Sequence, residues 1–153
     1  MADSVDFVEV DAGSPAAQAA MTAYFAELAA RFPTGFDASG YLAPEEYNPP
    51  LGRFFLAVDG DDVLACGGVV WIDDTTAEIK RMWVAPAARG HGLATRLLAF
   101  LEQTAATDGY STVRLDTNPV LLEAIAMYRK NGYRDIERYN DNPYAGLWFE
   151  KEL

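Results

Sequence analysis

Apolar and polar residues change period several times along this chain, and each change predicts an element. Residues 5–10 alternate apolar and acidic side chains, the period-two pattern of a half-buried edge strand. Ser14-Pro15 then supplies a capping hydroxyl and a first-turn proline, which predicts a helix through about Ala30. Over residues 31–52 breakers and aromatics mix, with Pro33, Gly35 and Asn48-Pro49-Pro50 among Phe32, Phe36 and Tyr41, so a long loop or short helices are expected. Loops of that length inside a compact domain are often functional. Residues 53–58 and 62–72 read as strands joined by the hairpin signal Asp59-Gly60-Asp61, and a third strand covers 77–84 until Pro86 stops it. Together the three predict an antiparallel meander.

The period then lengthens. Leu93, Leu97, Leu98, Leu101 and Ala105 recur at the spacing of one helical face until Asp108-Gly109 ends the pattern. A short buried strand is expected at 113–116, followed by an amphipathic helix marked by Leu121, Ala124, Ile125 and Tyr128 and closed by Asn131-Gly132. Residues 133–139 and 147–153 read as the last two strands. No repeat or low-complexity linker interrupts the series, so the expectation is one mixed α/β domain spanning 1–153.

Composition narrows the function classes. At 153 residues, 50% hydrophobic and 23% charged, the chain is globular in character. Its 12 basic and 23 acidic residues give a formal charge of -11, which argues against nucleic acid as partner because phosphate neutralisation needs a basic face. An acidic surface suits a cationic or amine substrate, and it also serves plain solubility. Cys66, the single cysteine, sits in an apolar run where a thiol behaves as a small buried hydrophobe. The N-terminal residues show no basic and apolar leader, and no apolar run is long enough for a bilayer, so a cytoplasmic protein without membrane contact is expected.

One segment carries chemistry. Arg89-Gly90-His91-Gly92-Leu93-Ala94 lies between a strand and a helix, where small residues admit a ligand to the backbone and unpaired amides meet the positive end of the helix dipole. Such a site binds phosphate. Neither the dinucleotide fingerprint nor a Walker loop is spelled here. Taken alone, the segment could also be a glycine-rich turn that starts a helix.

With its surroundings it resembles the GNAT superfamily of acetyl-CoA-dependent N-acetyltransferases. Arg89, Gly92 and Ala94 match the family loop Arg/Gln-x-x-Gly-x-Gly/Ala, and residues 77–86 look like the family's fourth strand. Residues 124–133 look like its Ala-x-x-x-Tyr-x-x-x-Gly-Phe/Tyr signature, with Ala124, Tyr128, Gly132 and Tyr133 in place. The resemblance runs from about Phe54 to the C-terminus. It implies a mostly antiparallel sheet of about six to seven strands flanked by about four helices and splayed between the fourth and fifth strands. It implies acetyl-CoA as co-substrate and no metal.

By the same resemblance, backbone groups of Met82 and Val84 contact the pantetheine arm, and the amides of Arg89, Gly90, His91, Gly92, Ala94 and Thr95 hold the pyrophosphate, with the Thr95 hydroxyl available to it. The side chain of His91 occupies a variable position and is read as solvated. Tyr128 matches the family tyrosine that protonates or hydrogen-bonds the leaving thiolate, and Glu78 the position that serves some members as general base. Where the family often has a cofactor-contacting asparagine this chain has Leu121, and Asn118 is the substitute candidate. Phe36, Tyr41, Trp71, Tyr139, Asn140 and Tyr144 are candidates for the acceptor pocket. The function so implied is acetyl transfer to a primary amine of a small molecule or protein, in a ternary complex. A non-catalytic acyl-CoA-binding domain of the same fold is the alternative, and a homodimer is allowed, since dimers are frequent in the family.

Overall fold

The computed structural model describes residues 4–39 and 44–153, and in it the alternating N-terminal stretch is strand β1 (Asp6–Glu9), at one edge of a seven-stranded sheet. Helix α1 (Pro15–Arg31) follows, with the Ser14 hydroxyl accepting from the Ala17 amide at 3.3 Å and proline in the first turn, as the capping pattern requires. Strands β2 (Gly52–Asp59), β3 (Asp62–Trp71) and β4 (Thr76–Val84) form the expected antiparallel meander, the first pair turning at Gly60 with φ 60°. After β4 come α2 (Leu93–Thr107), β5 (Thr112–Thr117), α3 (Leu122–Lys130), β6 (Arg134–Ile136) and β7 (Leu147–Glu152). Sheet order is β1-β2-β3-β4-β5-β7-β6.

Every neighbouring pair is antiparallel except β4 and β5, which run parallel and pair only through Thr76, Ala77 and Glu78 against Thr112, Val113 and Arg114. Beyond Glu78 and Arg114 the two strands separate. The cause is local to β4: Arg81 has φ 61°, a left-handed value costly for a side chain with a Cβ, and the β3–β4 register shifts opposite it between Cys66 and Gly68. Such a bulge bends its strand and leaves the far half of β4 with an unpaired edge facing the gap.

Two apolar layers hold the sheet. On one face Leu97, Leu98 and Leu101 of α2 and Ile125 and Tyr128 of α3 pack on Ile79, Val113, Leu115 and Phe149. On the other, Met21, Phe25 and Leu28 of α1 cover Phe54, Leu56 and Cys66, with Tyr47 beneath them. Fully burying each leucine contributes about 2 kcal/mol, so the three leucines of α2 alone fix that helix against the fork. No helix among the described residues is long and apolar enough to cross a membrane.

Two expectations change in detail. Among the described residues there are three α-helices where about four were expected, the remaining helical turns being short 3-10 segments at Glu45–Tyr47 and Pro86–Ala88. The strand expected over 133–139 ends at Ile136. Past that point the chain leaves the ladder, and Tyr139 and Asn140 become donors to carboxylates on β4 and β5.

Candidate active site

The gap between β4 and β5 opens into a cleft of about 460 Å³. Its walls are the separated half of β4, the loop and first turn of α2, the end of β5, one side of α3, and the inner face of α1. Met82, Val84, Arg89, Gly90, Gly92, Ala94, Thr95, Asn118, Tyr128, Phe36 and Tyr144 all line it. These residues span more than a hundred positions of sequence, and the fork brings them together.

At one end lies the glycine-rich loop. Gly90 and Gly92 have φ 87° and 77°, and a Cβ built on either would meet nothing within 4 Å, so it is backbone conformation and open space that require glycine here. Gly92 is the N-cap of α2 and supplies no side-chain acceptor, which leaves the first-turn amides pointing into the cleft's end with the dipole's positive charge. The Arg89 guanidinium turns back onto the protein: its Nε donates to the Val84 carbonyl at 2.9 Å and its Nη2 to Glu27 of α1. Glu27 also accepts from Trp83 Nε1 at 3.3 Å. His91 is exposed and lies outside the cleft lining.

At the other end stands Tyr128, 8% exposed, its ring edge-on to Tyr133 at 5.8 Å. Burial pushes its phenol well above the ordinary value, and the neighbouring Tyr24 and Asp116 act in the same direction, so it keeps its proton at any physiological pH. Tyr24 is pushed up to about 12 by burial, with Asp116 adding to the rise and the Arg81 guanidinium opposing it. Asp116 accepts from Asn140 Nδ2 at 2.6 Å on one oxygen and Asn142 Nδ2 at 3.0 Å on the other. Arg81 lies over the rings of Phe25 and Tyr47, 5.2 and 5.3 Å from their centroids.

Glu78 is placed differently. It is the last residue of β4 paired with β5, 7% exposed and outside the cleft lining, and its carboxylate accepts from Tyr139 at 2.6 Å and Asn140 at 3.2 Å, with Lys80 at 3.8 Å. Burial and the Glu78 charge raise the Tyr139 phenol far beyond its ordinary range. Asn140 therefore bridges Glu78 to Asp116, and it accepts from Trp148 Nε1 at 3.0 Å. Trp71 is away from the cleft, stacked flat on Tyr110 at 4.3 Å and 5°. Tyr41 lies outside the described residues. Asn118 lines the cleft but spends its amide on the Tyr144 carbonyl at 2.7 Å.

Tyr24, Phe25, Glu27, Arg81, Asp116 and Asn142 also line the cleft and were not singled out in the sequence. Tyr24 and Phe25 sit on the α1 pattern that also holds Met21 and Leu28, so helical spacing carried a signal for them. Asp116 follows Val113 and Leu115 with strand alternation, which marks it as facing away from that core. Cys66 donates its thiol to the Arg81 carbonyl at 3.3 Å, and burial pushes it up to about 12, which leaves no nucleophilic thiolate.

Chemically, the cleft joins an unpaired strand edge to an anion-binding helix terminus at one end and a protonated phenol beside a carboxylate at the other. An elongated ligand with a phosphate at one end and a reactive group at the other fits this polarity.

Comparison with known proteins agrees. Residues 19–133 match the model of the Acetyltransferase (GNAT) family. An IAA acetyltransferase of Azospirillum brasilense is 35% identical over 105 residues, covering 66% of this chain and 68% of that protein. An N-acetyltransferase of Schizosaccharomyces pombe is 34% identical over 104 residues, covering 67% of this chain and 64% of that protein. In fold, a Streptococcus agalactiae acetyltransferase superposes with a TM-score of 0.82 at 20% identity, over 98% of this chain and 99% of that one. A GNAT family acetyltransferase from Elizabethkingia anophelis with acetyl-CoA bound gives 0.71 at 21% identity, over 99% of each chain.

Proposed function

Because the chain belongs to the acetyltransferase (GNAT) family, and is by that membership an acyltransferase, we propose that it transfers an acetyl group from acetyl-CoA to a primary amine while both are bound. The observation that carries this reading is the fork beyond Glu78 and Arg114, with an uncapped helix terminus at one end and Tyr128 at the other. The single domain spanning 1–153 is taken to contain the whole reaction.

The residues present fit the co-substrate. Backbone groups of Met82 and Val84 on the unpaired edge pair with the pantetheine amides as an added strand would. Amides of Arg89, Gly90, His91, Gly92, Ala94 and Thr95 receive the pyrophosphate, with the Thr95 hydroxyl beside them. Asn118 serves by fixing the Tyr144 loop.

Tyr128 donates its phenolic proton to the departing sulfur as the C–S bond breaks. It recovers a proton from the nitrogen once the C–N bond has formed, and the first proton of the incoming ammonium leaves to water. Burial keeps the phenol protonated at working pH, so its O–H is in place to hydrogen-bond the sulfur as negative charge develops there and to pass its proton to it. Glu78 acts through Asn140, which orients Asp116 at the cleft. An intact phenol at the reactive end weighs against a non-catalytic acyl-CoA-binding domain. Calorimetric titration with acetyl-CoA tests the reading: saturable 1:1 binding that Gly92→Glu abolishes is expected, and absence of binding by the unaltered chain would overturn it.

A further inference from the structure

The carboxylates that line the cleft are not equivalent. Glu27 is ion-paired with Arg89 and lies 3.7 Å from Arg31, and Glu123 is ion-paired with Arg31, so both have cationic partners. Asp116 has two neutral amides instead, one on each oxygen, and among the described residues no ion pair reaches it. Amide bonds fix the orientation of a carboxylate without cancelling its charge, and each oxygen keeps a second lone pair. Asp116 is therefore a half-buried, oriented carboxylate outside any ion pair, within the electrostatic reach of Tyr128 and Tyr24.

The same loop that holds Asp116 builds the wall next to it. Asn142, whose side-chain amide binds Asp116, accepts the Tyr144 amide proton at 3.0 Å on its Oδ1. Tyr144 packs on Phe36 at 4.5 Å and on Phe32 at 5.8 Å, and Phe36 stacks on Phe25 at 5.3 Å. All four aromatic residues line the cleft. The Tyr144 hydroxyl accepts from the Asp37 amide at 2.9 Å, which ties the ring in place, and the four rings give the wall apolar surface for a ligand.

We propose that Asp116 anchors the acceptor's ammonium group and that the wall of Phe25, Phe32, Phe36 and Tyr144 selects an amine carried on a flat apolar body. The inference rests on the acetyl-transfer reading above and names its acceptor class. Charge and ring are read by separate groups, so separate variants report on each.

The test uses the full chain with acetyl-CoA, 2-phenylethylamine and n-butylamine as acceptors, and 2-phenylethanol, which has the ring without the charge, as inhibitor. The unaltered protein is expected to favour 2-phenylethylamine over n-butylamine by about tenfold or more in kcat/KM, the increment that a filled apolar pocket confers. Asp116→Asn should raise KM for 2-phenylethylamine at least about tenfold, as loss of a charge-assisted hydrogen bond does, with inhibition by 2-phenylethanol and acetyl-CoA affinity unchanged. Asp116→Glu should recover part of the loss, and Phe36→Ala should weaken both ring-bearing ligands together. Equal weakening of the charged and uncharged ligands by Asp116→Asn would show a merely structural role and overturn the anchor. Equal use of the two amines would overturn the aromatic selection. Amine-dependent turnover confined to other acceptors would sink this inference and leave acetyl transfer standing, whereas failure to bind acetyl-CoA would remove both.

Discussion

The two ends of the cleft are built from different materials. The end at α2 is almost all backbone: glycines at positive φ, first-turn amides and the unpaired edge of β4. The end at Tyr128 is side chains contributed by α1, β5, α3 and the loop after β6, tied together by hydrogen bonds such as Asn140 and Asn142 to Asp116. A backbone site tolerates many side chains provided the φ values are met, so its specificity is for phosphate and amide geometry. A side-chain site changes its ligand with each substitution. The first suits a co-substrate shared by many enzymes, and the second suits an acceptor that differs from one to the next.

The sharpest break in that comparison comes from Tyr128→Phe. General acid groups contribute about 10² to 10⁴ in rate, so turnover should fall within that range while calorimetry finds acetyl-CoA affinity unchanged. The unaltered enzyme should also show no descending limb in kcat up to about pH 10, because the raised phenol stays protonated past the ordinary tyrosine range. A descending limb near pH 10 that vanishes in the phenylalanine variant would contradict the assigned environment.

Next in size is Gly92→Glu, which strikes the backbone end. A left-handed residue with a Cβ costs about 1–2 kcal/mol, and the added carboxylate sits where phosphate is expected. Acetyl-CoA binding should be lost with only a modest drop in Tm, because no neighbouring atom obstructs the new side chain. Binding that survives would place the anion elsewhere.

A broader effect is alkaline instability. Tyr24 and Cys66 are held near 12 by burial, and Tyr47, Tyr128, Tyr133 and Tyr139 are raised as well. In the unfolded chain these groups ionise near about 10 for tyrosine and about 8.5 for cysteine. The unfolded state thus releases protons first as pH rises, which means stability is complete below those values and is lost as pH climbs through the folded ones. Tm should begin to fall above about pH 9, and a Tm unchanged to pH 11 would show that these side chains are not buried as described.

The smallest effect belongs to the ion pair between Arg31 of α1 and Glu123 of α3 across the rim of the cleft. Glu123 is largely exposed, and Arg31 holds its carboxyl below the usual range, yet exposed pairs contribute only about 0–1 kcal/mol. Arg31→Ala should shift Tm by no more than a few degrees, and a larger shift would make the rim contact a structural determinant.

This contrast also explains which parts of the molecule are legible in its sequence. The α2 end is legible because backbone demands leave residue types at fixed spacing: Gly90 and Gly92 for their φ values, and Pro86 to end β4. The meander and the amphipathic helices are legible because burial on one face imposes a period. The Tyr128 end depends on contacts between distant segments, such as Asn142 meeting Asp116 and Phe36 meeting Tyr144, and spacing within one segment does not encode those. Trp71 shows the same limit in reverse: it has the composition expected of a pocket wall, but its place on β3 stacks it on Tyr110 instead. Glu78 has the residue type expected of a base, and only tertiary structure shows Tyr139 and Asn140 standing on its carboxylate.

The most direct test of the whole account is CoA thiol release from acetyl-CoA by the full chain, measured with and without a primary amine. Release that depends on the amine, saturates with it and yields one N-acetyl product per thiol is the predicted result. Thiol release at the same rate without amine, or none with any amine despite bound acetyl-CoA, would contradict it.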